Sequence, residues 1–262
     1  MEKNDNRSLT EHRRRLILER VRELGAVRTS ELARIHSVSP MTIRNDLDAL
    51  ARRGHLLRVH GGAMVKEQLA AEPSYHEKAS LNLEEKRRIG RRAAALIEDG
   101  MAVFIGNGTT TMEIVRALKD RAPSHVKAFT NALTHATELA GIPQVDLYVV
   151  GGYLRGVSFA MVGPLASQAL EGVYFDLAFL GANGISLEHG ITIPSLEEAE
   201  TAAEIVRHAR RVVIVADHTK FGVVTHGRIA DLEEVDVIVT DEGLDPQYAR
   251  LLSEQGGELV LA

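Results

Sequence analysis

The sequence predicts an α/β protein in two parts: a small N-terminal winged helix-turn-helix and a larger, mostly parallel α/β domain. Three observations carry that reading. Residues 39–50 have the pattern of a short amphipathic helix, and a strand pattern with the paired glycines Gly61-Gly62 follows it. From residue 84 onward short apolar runs alternate with amphipathic segments, as expected of a sheet covered by helices on both faces. The charge is also divided. Residues 1–66 hold 14 Lys+Arg against 8 Asp+Glu, a balance of +6; the whole chain is −5, so residues 67–262 carry −11. A basic head on an acidic body is the asymmetry expected when one end meets phosphate.

A first helix is expected from about Leu9 to Leu24, with Ser8 and Glu11 as a capping box and Gly25 at its end. Ile17, Val21 and Leu24 form its buried face. A second helix, about Ser30 to Ile35, turns Leu32, Ala33 and Ile35 inward, and His36-Ser37-Val38 makes the turn. In the third helix Ser39 is the N-cap and Pro40 takes the first helical position, where its missing N–H costs little. Ile43, Leu47 and Leu50 make one apolar stripe, and Met41, Thr42, Arg44, Asn45 and Asp48 lie opposite. Arg and Asn can make paired hydrogen bonds to guanine and adenine edges in a major groove. A helix-turn-helix presents such residues near the N-terminus of its second helix. Gly54 stops this helix, residues 55–59 read as a strand, and Gly61-Gly62 as the tip of a wing.

Residues 67–83, with Glu72-Pro73-Ser74 in the middle, read as a linker between a domain at 1–66 and one at 84–262. Strands are expected at 102–106, 126–130, 146–150, 175–180, 212–216, 235–240 and 258–261, and helices near 84–98, 110–120, 132–140, 162–171, 196–209 and 245–254. Ser195 and Glu198 suggest another capping box. The strand exits are rich in glycine and polar residues: Gly106 to Thr111, Thr130-Asn131, Gly151-Gly152, Gly181 to Gly184, Asp217 to Lys220, and Thr240-Asp241. Ligands of open α/β sheets bind outside the carboxyl ends of the strands, so these exits suggest one polar pocket. Asn107-Gly108-Thr109-Thr110-Thr111 fits a cradle for one phosphate at a helix N-terminus, and fits equally a tight strand-to-helix turn capped by threonine. Lys220 can add a point charge or be a solvated loop lysine. Asp217 can orient sugar hydroxyls or cap a loop. Arg155 can serve the pocket or a surface salt bridge.

At 262 residues, with 45% hydrophobic and 26% charged residues, the chain has the composition of a globular protein of two domains. It has no cysteine, which excludes disulfides, thiolate metal sites and cysteine nucleophiles and suits a reducing cytoplasm. Met1 to Arg7 is charged and lacks the apolar core of a signal peptide, and no apolar run approaches the roughly 18 residues of a membrane span. No cofactor and no metal are expected: His55 and His60 fall on opposite faces of their strand, and Glu204 with His208 lacks a third ligand. Arg13-Arg14-Arg15 reads as a solvated helix face that can still reach phosphates.

Ser-x-x-Thr-Ile-Arg-Asn-Asp-Leu at residues 39–47, followed by Leu-x-Arg-x-His-Gly-Gly-Ala at 56–63, resembles the DeoR family of bacterial transcription regulators. The resemblance continues through Gly151–Arg155, Val162–Pro164, Asp176–Ile185 and Ala216–Gly222, and so spans nearly the whole chain. It implies a winged helix-turn-helix in which Thr42, Arg44 and Asn45 face DNA, and a sensor domain similar in fold to ribose-5-phosphate isomerase that senses phosphorylated sugars. One departure is that many members have an Asp where Gly106 stands here, which removes a hydroxyl-binding carboxylate.

The expected function is a repressor of a sugar catabolic operon, released from a double-stranded DNA operator by a phosphorylated sugar. Ser39, Met41, Thr42, Arg44 and Asn45 would meet DNA through the helix, and Arg13, Arg58, His60, Gly61 and Gly62 would hold its backbone. Asn107, Gly108, Thr109, Thr110, Thr111, Asn131, Gly152, Arg155, Gly181, Asp217 and Lys220 would form the ligand site. A homodimer or homotetramer in the cytoplasm is expected, because paired half-sites multiply modest affinity. The alternative is a sugar-phosphate isomerase-like enzyme with an accessory DNA-binding head, for which Asp217 and Glu198 are the candidate general bases.

Overall fold

A computed structural model of the chain describes residues 10, 13–21, 26–36, 38–52, 55–59, 62–65, 72–254 and 257–262. The chain divides into two compact units, Met1–Glu72 and Pro73–Ala262.

In the first unit, helix α1 (residues 13–21), strand β1 (Ala26–Arg28), helices α2 (Thr29–Ile35) and α3 (Pro40–Arg52), and strands β2 (Leu56–Val59) and β3 (Gly62–Val65) surround one small core. Ile17 and Val21 of α1, Leu32 of α2, and Ile43, Leu47 and Leu50 of α3 are all buried in it, as their helical spacing requires. Ile35 is 42% exposed and does not turn inward: α2 ends there, two positions beyond Ala33, the last of its buried residues. β1 was not expected, and it completes an antiparallel sheet in the order β1-β3-β2. Gly62 is a strand residue facing Val59 and Arg28, so it is not the wing tip. The capping box at Ser8 and Glu11, with Leu24, Gly25, Gly54, His60 and Gly61, lies outside the described residues.

A buried ion pair ties α1 to α3. The Asp46 carboxylate, 2% exposed, accepts from Arg13 Nε at 2.7 Å and Arg14 Nε at 2.9 Å. The arginine cluster is therefore divided: Arg15, 67% exposed, stays on the solvent face, whereas Arg13 and Arg14 hold the helix that carries Arg44.

In the second unit, helices α4 (Tyr75–Ser80) and α5 (Leu83–Ala94) lead into strand β4 (Ala102–Ile105) and helix α6 (Thr109–Arg121). Then follow β5 (Val126–Thr130), α7 (Leu133–Leu139), β6 (Val145–Val149), β7 (Tyr153–Arg155), β8 (Ala160–Val162), α8 (Pro164–Leu170) and β9 (Leu177–Gly181). The chain ends through β10 (Gly184–Ser186), β11 (Gly190–Ile193), α9 (Leu196–Arg207), β12 (Val212–Val215), β13 (Gly227–Ala230), β14 (Val237–Thr240), α10 (Pro246–Glu254) and β15 (Glu258–Leu261). The expected linker thus holds a helix: Ser74 and Glu77 cap α4 reciprocally.

All seven strands expected from the sequence are present within two residues of their predicted ends, and they form one parallel sheet in the order β15-β14-β12-β9-β4-β5-β6. Its central strands are buried on both faces. Val103, Ile105, Leu177, Phe179, Val213 and Val215 join one core with α5, α6 and α7. Phe104, Ala178, Leu180, Val212 and Ile214 join the other with α8 and α9. Continuous apolar runs satisfy both layers at once. The small antiparallel sheet β10-β11-β13 and the hairpin β7-β8 were not expected. Among the described residues no helix is long and apolar enough to cross a membrane.

The start of α6 is fixed from beneath by a fully buried histidine. Thr111 Oγ1 donates its proton to Gly108 O at 3.0 Å, so His135 Nε2, 3.0 Å from Thr111 Oγ1, must donate to that hydroxyl oxygen. His135 Nδ1 then accepts from the Thr134 hydroxyl at 3.1 Å, which makes the ring a neutral tautomer. Burial, and then the charge of Arg116, push the His135 pKa down to about 3.

Two predictions follow from these contacts. Replacing Arg13 and Arg14 together by Met leaves Asp46 buried without its cations and should cost about 3–5 kcal/mol. Asp46→Asn should cost less, because the guanidiniums left behind are partly exposed and can turn to water; urea unfolding of the two variants checks this order. For His135, the unfolded chain takes up a proton near the ordinary pKa of about 6.5 that the folded chain refuses down to about 3. Stability is then complete above that upper value and falls with pH through the window, by up to about 1.4 kcal/mol per unit. Thermal melts at about pH 7.5 and pH 5 should differ less for His135→Gln than for the parent chain.

Candidate functional site

The exposed face of α3 is built as its sequence implies. Ser39 Oγ accepts from Thr42 N at 3.1 Å and lies 2.9 Å from Thr42 Oγ1. This fixes the first turn, and Met41, Arg44 and Asn45 project from it into solvent. Of the expected backbone contacts, Arg13 is bound to Asp46, Gly62 is buried in β3, and Arg58 lies in β2 with its side chain outside the described residues. His60 and Gly61 are outside them as well. An Arg and an Asn on one exposed turn, above a stripe locked into the core, can be offered to base edges without disturbing the fold.

The sheet reverses its order at β4, where β5 and β6 lie to one side and β9, β12, β14 and β15 to the other. A cavity of about 310 Å³ lies beyond the carboxyl ends of β4, β9 and β12. Asn107, Gly108, Thr109, Thr110, Gly181, Asp217 and Lys220 line it, so seven residues expected on sequence grounds converge on one place. Gly108 has φ 145°, a backbone that side chains rarely adopt, and no side chain caps the first turn of α6. That open helix start, with two threonines and Lys220 beside it, suits an anion. The Asp217 carboxylate accepts from Asn82 Nδ2 at 3.1 Å and from Thr219 N at 3.1 Å, and is held by the Thr219 hydroxyl. Burial alone would raise its pKa, but the Thr219 hydrogen bonds and the Lys220 charge outweigh burial and hold it below the usual value.

The other expected residues support the cavity instead of lining it. Thr111 is spent on Gly108 and His135. Asn131 Oδ1 accepts from Asn107 N at 3.2 Å and its Nδ2 donates to Met161 O, which braces the loop after β4 from behind. Gly152, at φ 147°, lies against β8, where a Cβ would come 2.7 Å from Val162 O. Arg155 pairs with Glu198, and Glu198 does line the cavity.

Several wall residues are absent from the ligand site expected on sequence grounds, where Glu198 figures only as a cap and as a general base of the isomerase alternative. Glu198 is buried and accepts from Asn107 Nδ2 at 3.1 Å, from Arg155 and from Ser158. Ser195 accepts from Glu198 N, but the Glu198 side chain turns to the cavity, so the expected capping box is only half formed. Asn183 comes from the exit of β9. Lys78, Leu81, Asn82 and Lys86 come from α4 and α5. Lys86 stands in the charged run Glu84-Glu85-Lys86-Arg87-Arg88, yet it is 4% exposed. Among the described residues no group of three His, Asp or Glu could hold a metal ion.

Comparison with known proteins agrees with both halves. A family description, the DeoR-like helix-turn-helix domain, matches residues 13–69, and the DeoR C terminal sensor domain matches residues 81–242. The HTH-type transcriptional regulator GlpR of Haloferax volcanii is 36% identical, over 96% of this chain and 98% of its own length. The lactose phosphotransferase system repressor of Lactococcus lactis is 34% identical, over 91% and 93%. The glycerol-3-phosphate regulon repressor of Escherichia coli is 33% identical, over 94% and 96%. Ribose 5-phosphate isomerase A from Methanocaldococcus jannaschii is similar over 53% of this chain and 55% of its own, with a TM-score of 0.40 and 17% identity. The relatives are named as regulators, which does not favour the isomerase alternative. On the strength of both domain matches and these relatives, the chain belongs to the DeoR family and is a DNA-binding transcriptional regulator.

Proposed function

We propose that the chain represses a carbohydrate operon and leaves its operator when a phosphorylated sugar enters the cavity of the second unit. The cavity carries the reading. It combines an open helix start and lysines, which suit a phosphate, with Asp217, Glu198 and Asn107, which suit hydroxyls. Its volume of about 310 Å³ stands at the small end of ligand sites and suits a monosaccharide phosphate. Glu198 compensates for the carboxylate lost with Gly106. The names of the relatives, a lactose phosphotransferase system repressor and a glycerol-3-phosphate regulon repressor, agree with such an effector. Arg44 and Asn45 read bases, Thr42 and Met41 flank them, and Arg58 with the wing holds the phosphate backbone. The regulator works as a symmetric homo-oligomer in the cytoplasm, with two copies of α3 meeting paired half-sites. Release requires that the DNA-free state bind the sugar more tightly than the DNA-bound state does.

Gel shifts on the chain's own upstream DNA, with a panel of sugar phosphates, test the reading directly; a complex that no phosphorylated sugar dissociates counts against it. Arg44→Ala should cost about 1–3 kcal/mol on cognate DNA and relax base preference. Equal losses on cognate and random DNA would rule out base reading. Thr110→Val combined with Lys220→Ala should retain DNA binding and lose the response to effector. A normal response in that variant would move the ligand elsewhere.

A further inference from the structure

Lys86 is an unusual residue in this cavity. It sits on α5, is 4% exposed, and its Nζ donates to Lys78 O at 2.6 Å. An ammonium has three donors. Among the described residues Lys78 O is its one hydrogen-bond acceptor, which leaves two N–H groups uncommitted in a residue that lines the cavity. A buried cation with spare donors is costly unless a partner satisfies them. Burial pushes the Lys86 pKa below the usual lysine value; Asp217 is near enough to favour the charged form, and Lys220 opposes it.

The acceptor that Lys86 does have belongs to α4. This helix begins three residues after the end of the first unit at Glu72 and is the first element on the chain's path away from the DNA-binding unit. Its junction with α5 is held by the cavity's own residues. Asn82 takes a left-handed backbone, φ 49°, donates through Nδ2 to Asp217 at 3.1 Å, and accepts from Lys86 N at 3.0 Å. Leu81 and Lys78 lie on the same wall.

We propose that Lys86 is a second phosphate-binding cation of the cavity, and that through its bond to Lys78 it ties α4 to the bound anion. The proposal rests on the phosphorylated-ligand reading above. A phosphate oxygen that takes the spare donors leaves the bond to Lys78 O in place. Ligand, α5 and the C-terminal end of α4 then become one rigid piece. Binding energy thereby reaches the segment that joins the sensor unit to the DNA-binding unit in sequence.

The test uses the full chain, with inorganic phosphate, glycerol 3-phosphate and fructose 6-phosphate as probes. Calorimetry gives affinity, and hydrogen exchange followed by mass spectrometry gives protection peptide by peptide. In the parent chain a binding probe should slow exchange in 75–82 as well as in 106–111. Lys86→Met keeps the apolar stem and removes the ammonium. It should bind the same probe about tenfold or more weakly and lose the protection of 75–82, as expected for one charge-assisted hydrogen bond. Unchanged exchange in 75–82 of the parent chain, alongside protection of 106–111, overturns the tie to α4 and leaves the phosphate reading standing; that arm needs no variant to fold. Equal affinity in Lys86→Met overturns the second-cation role. If the parent chain binds none of the probes at millimolar concentration, the phosphate reading itself fails, and the role of Lys86 fails with it.

Discussion

The parallel sheet changes direction at β4, and the polar chemistry of the second unit depends on that reversal. Strands buried on both faces leave no room for polar side chains along their length, so polar groups collect where strands end. The chain leaves β4 into α6, on the face packed by Ile114 and Val115, and leaves β9 toward Ile185, in the core of the other face. Two neighbouring strands whose connections depart to opposite sides leave a crevice between them. Gly108 can make its turn there only because it lacks a Cβ, and Asn131 and His135 fix the turn from the protein side. The site is thus a product of topology, which local side chains then furnish.

The same logic explains what the sequence discloses. The parallel strands are continuous apolar runs bounded by glycine and polar residues, so they can be read directly, as can Asn107 to Thr110, Gly181, Asp217 and Lys220 at their exits. The antiparallel strands β10, β11 and β13 are three or four residues long and begin with glycine, too short for a period-two pattern to emerge. Helix α4 hid behind Pro73, although Ser74 and Glu77 carried its start signal in full. Ser195 and Glu198 gave the same signal, and there the glutamate is taken by Arg155 and Asn107, 43 and 91 positions away in the chain. Lys86 and Asn82 were illegible for a related reason. Their role comes from Asp217 and Lys78 as tertiary partners, and a helix rich in charge conceals which one of its charges is buried.

The hairpin β7-β8 links several of these parts. Arg155 at the end of β7 and Ser158 in the loop meet Glu198 at the cavity wall. The next residue, Phe159, has φ 58° and presents its ring to Tyr75 and His76 at the start of α4, with centroids 5.8 and 5.6 Å away. Tyr75 N also donates to Val157 O at 2.8 Å. Helix α4 is therefore held at its beginning by a loop that touches the cavity wall and at its end by residues of the cavity itself. A short helix of six residues has little stability of its own. Its geometry is set by these attachments.

In the first unit, Asp46 and Arg44 stand two positions apart on α3 and face different worlds. The inner carboxylate fixes where the helix sits, and the outer guanidinium is left to whatever meets it. The seating of the helix and its outward chemistry thus rest on separate atoms of one short segment. Such a division leaves positions 41, 44 and 45 open to exchange without loss of the contacts that seat the helix.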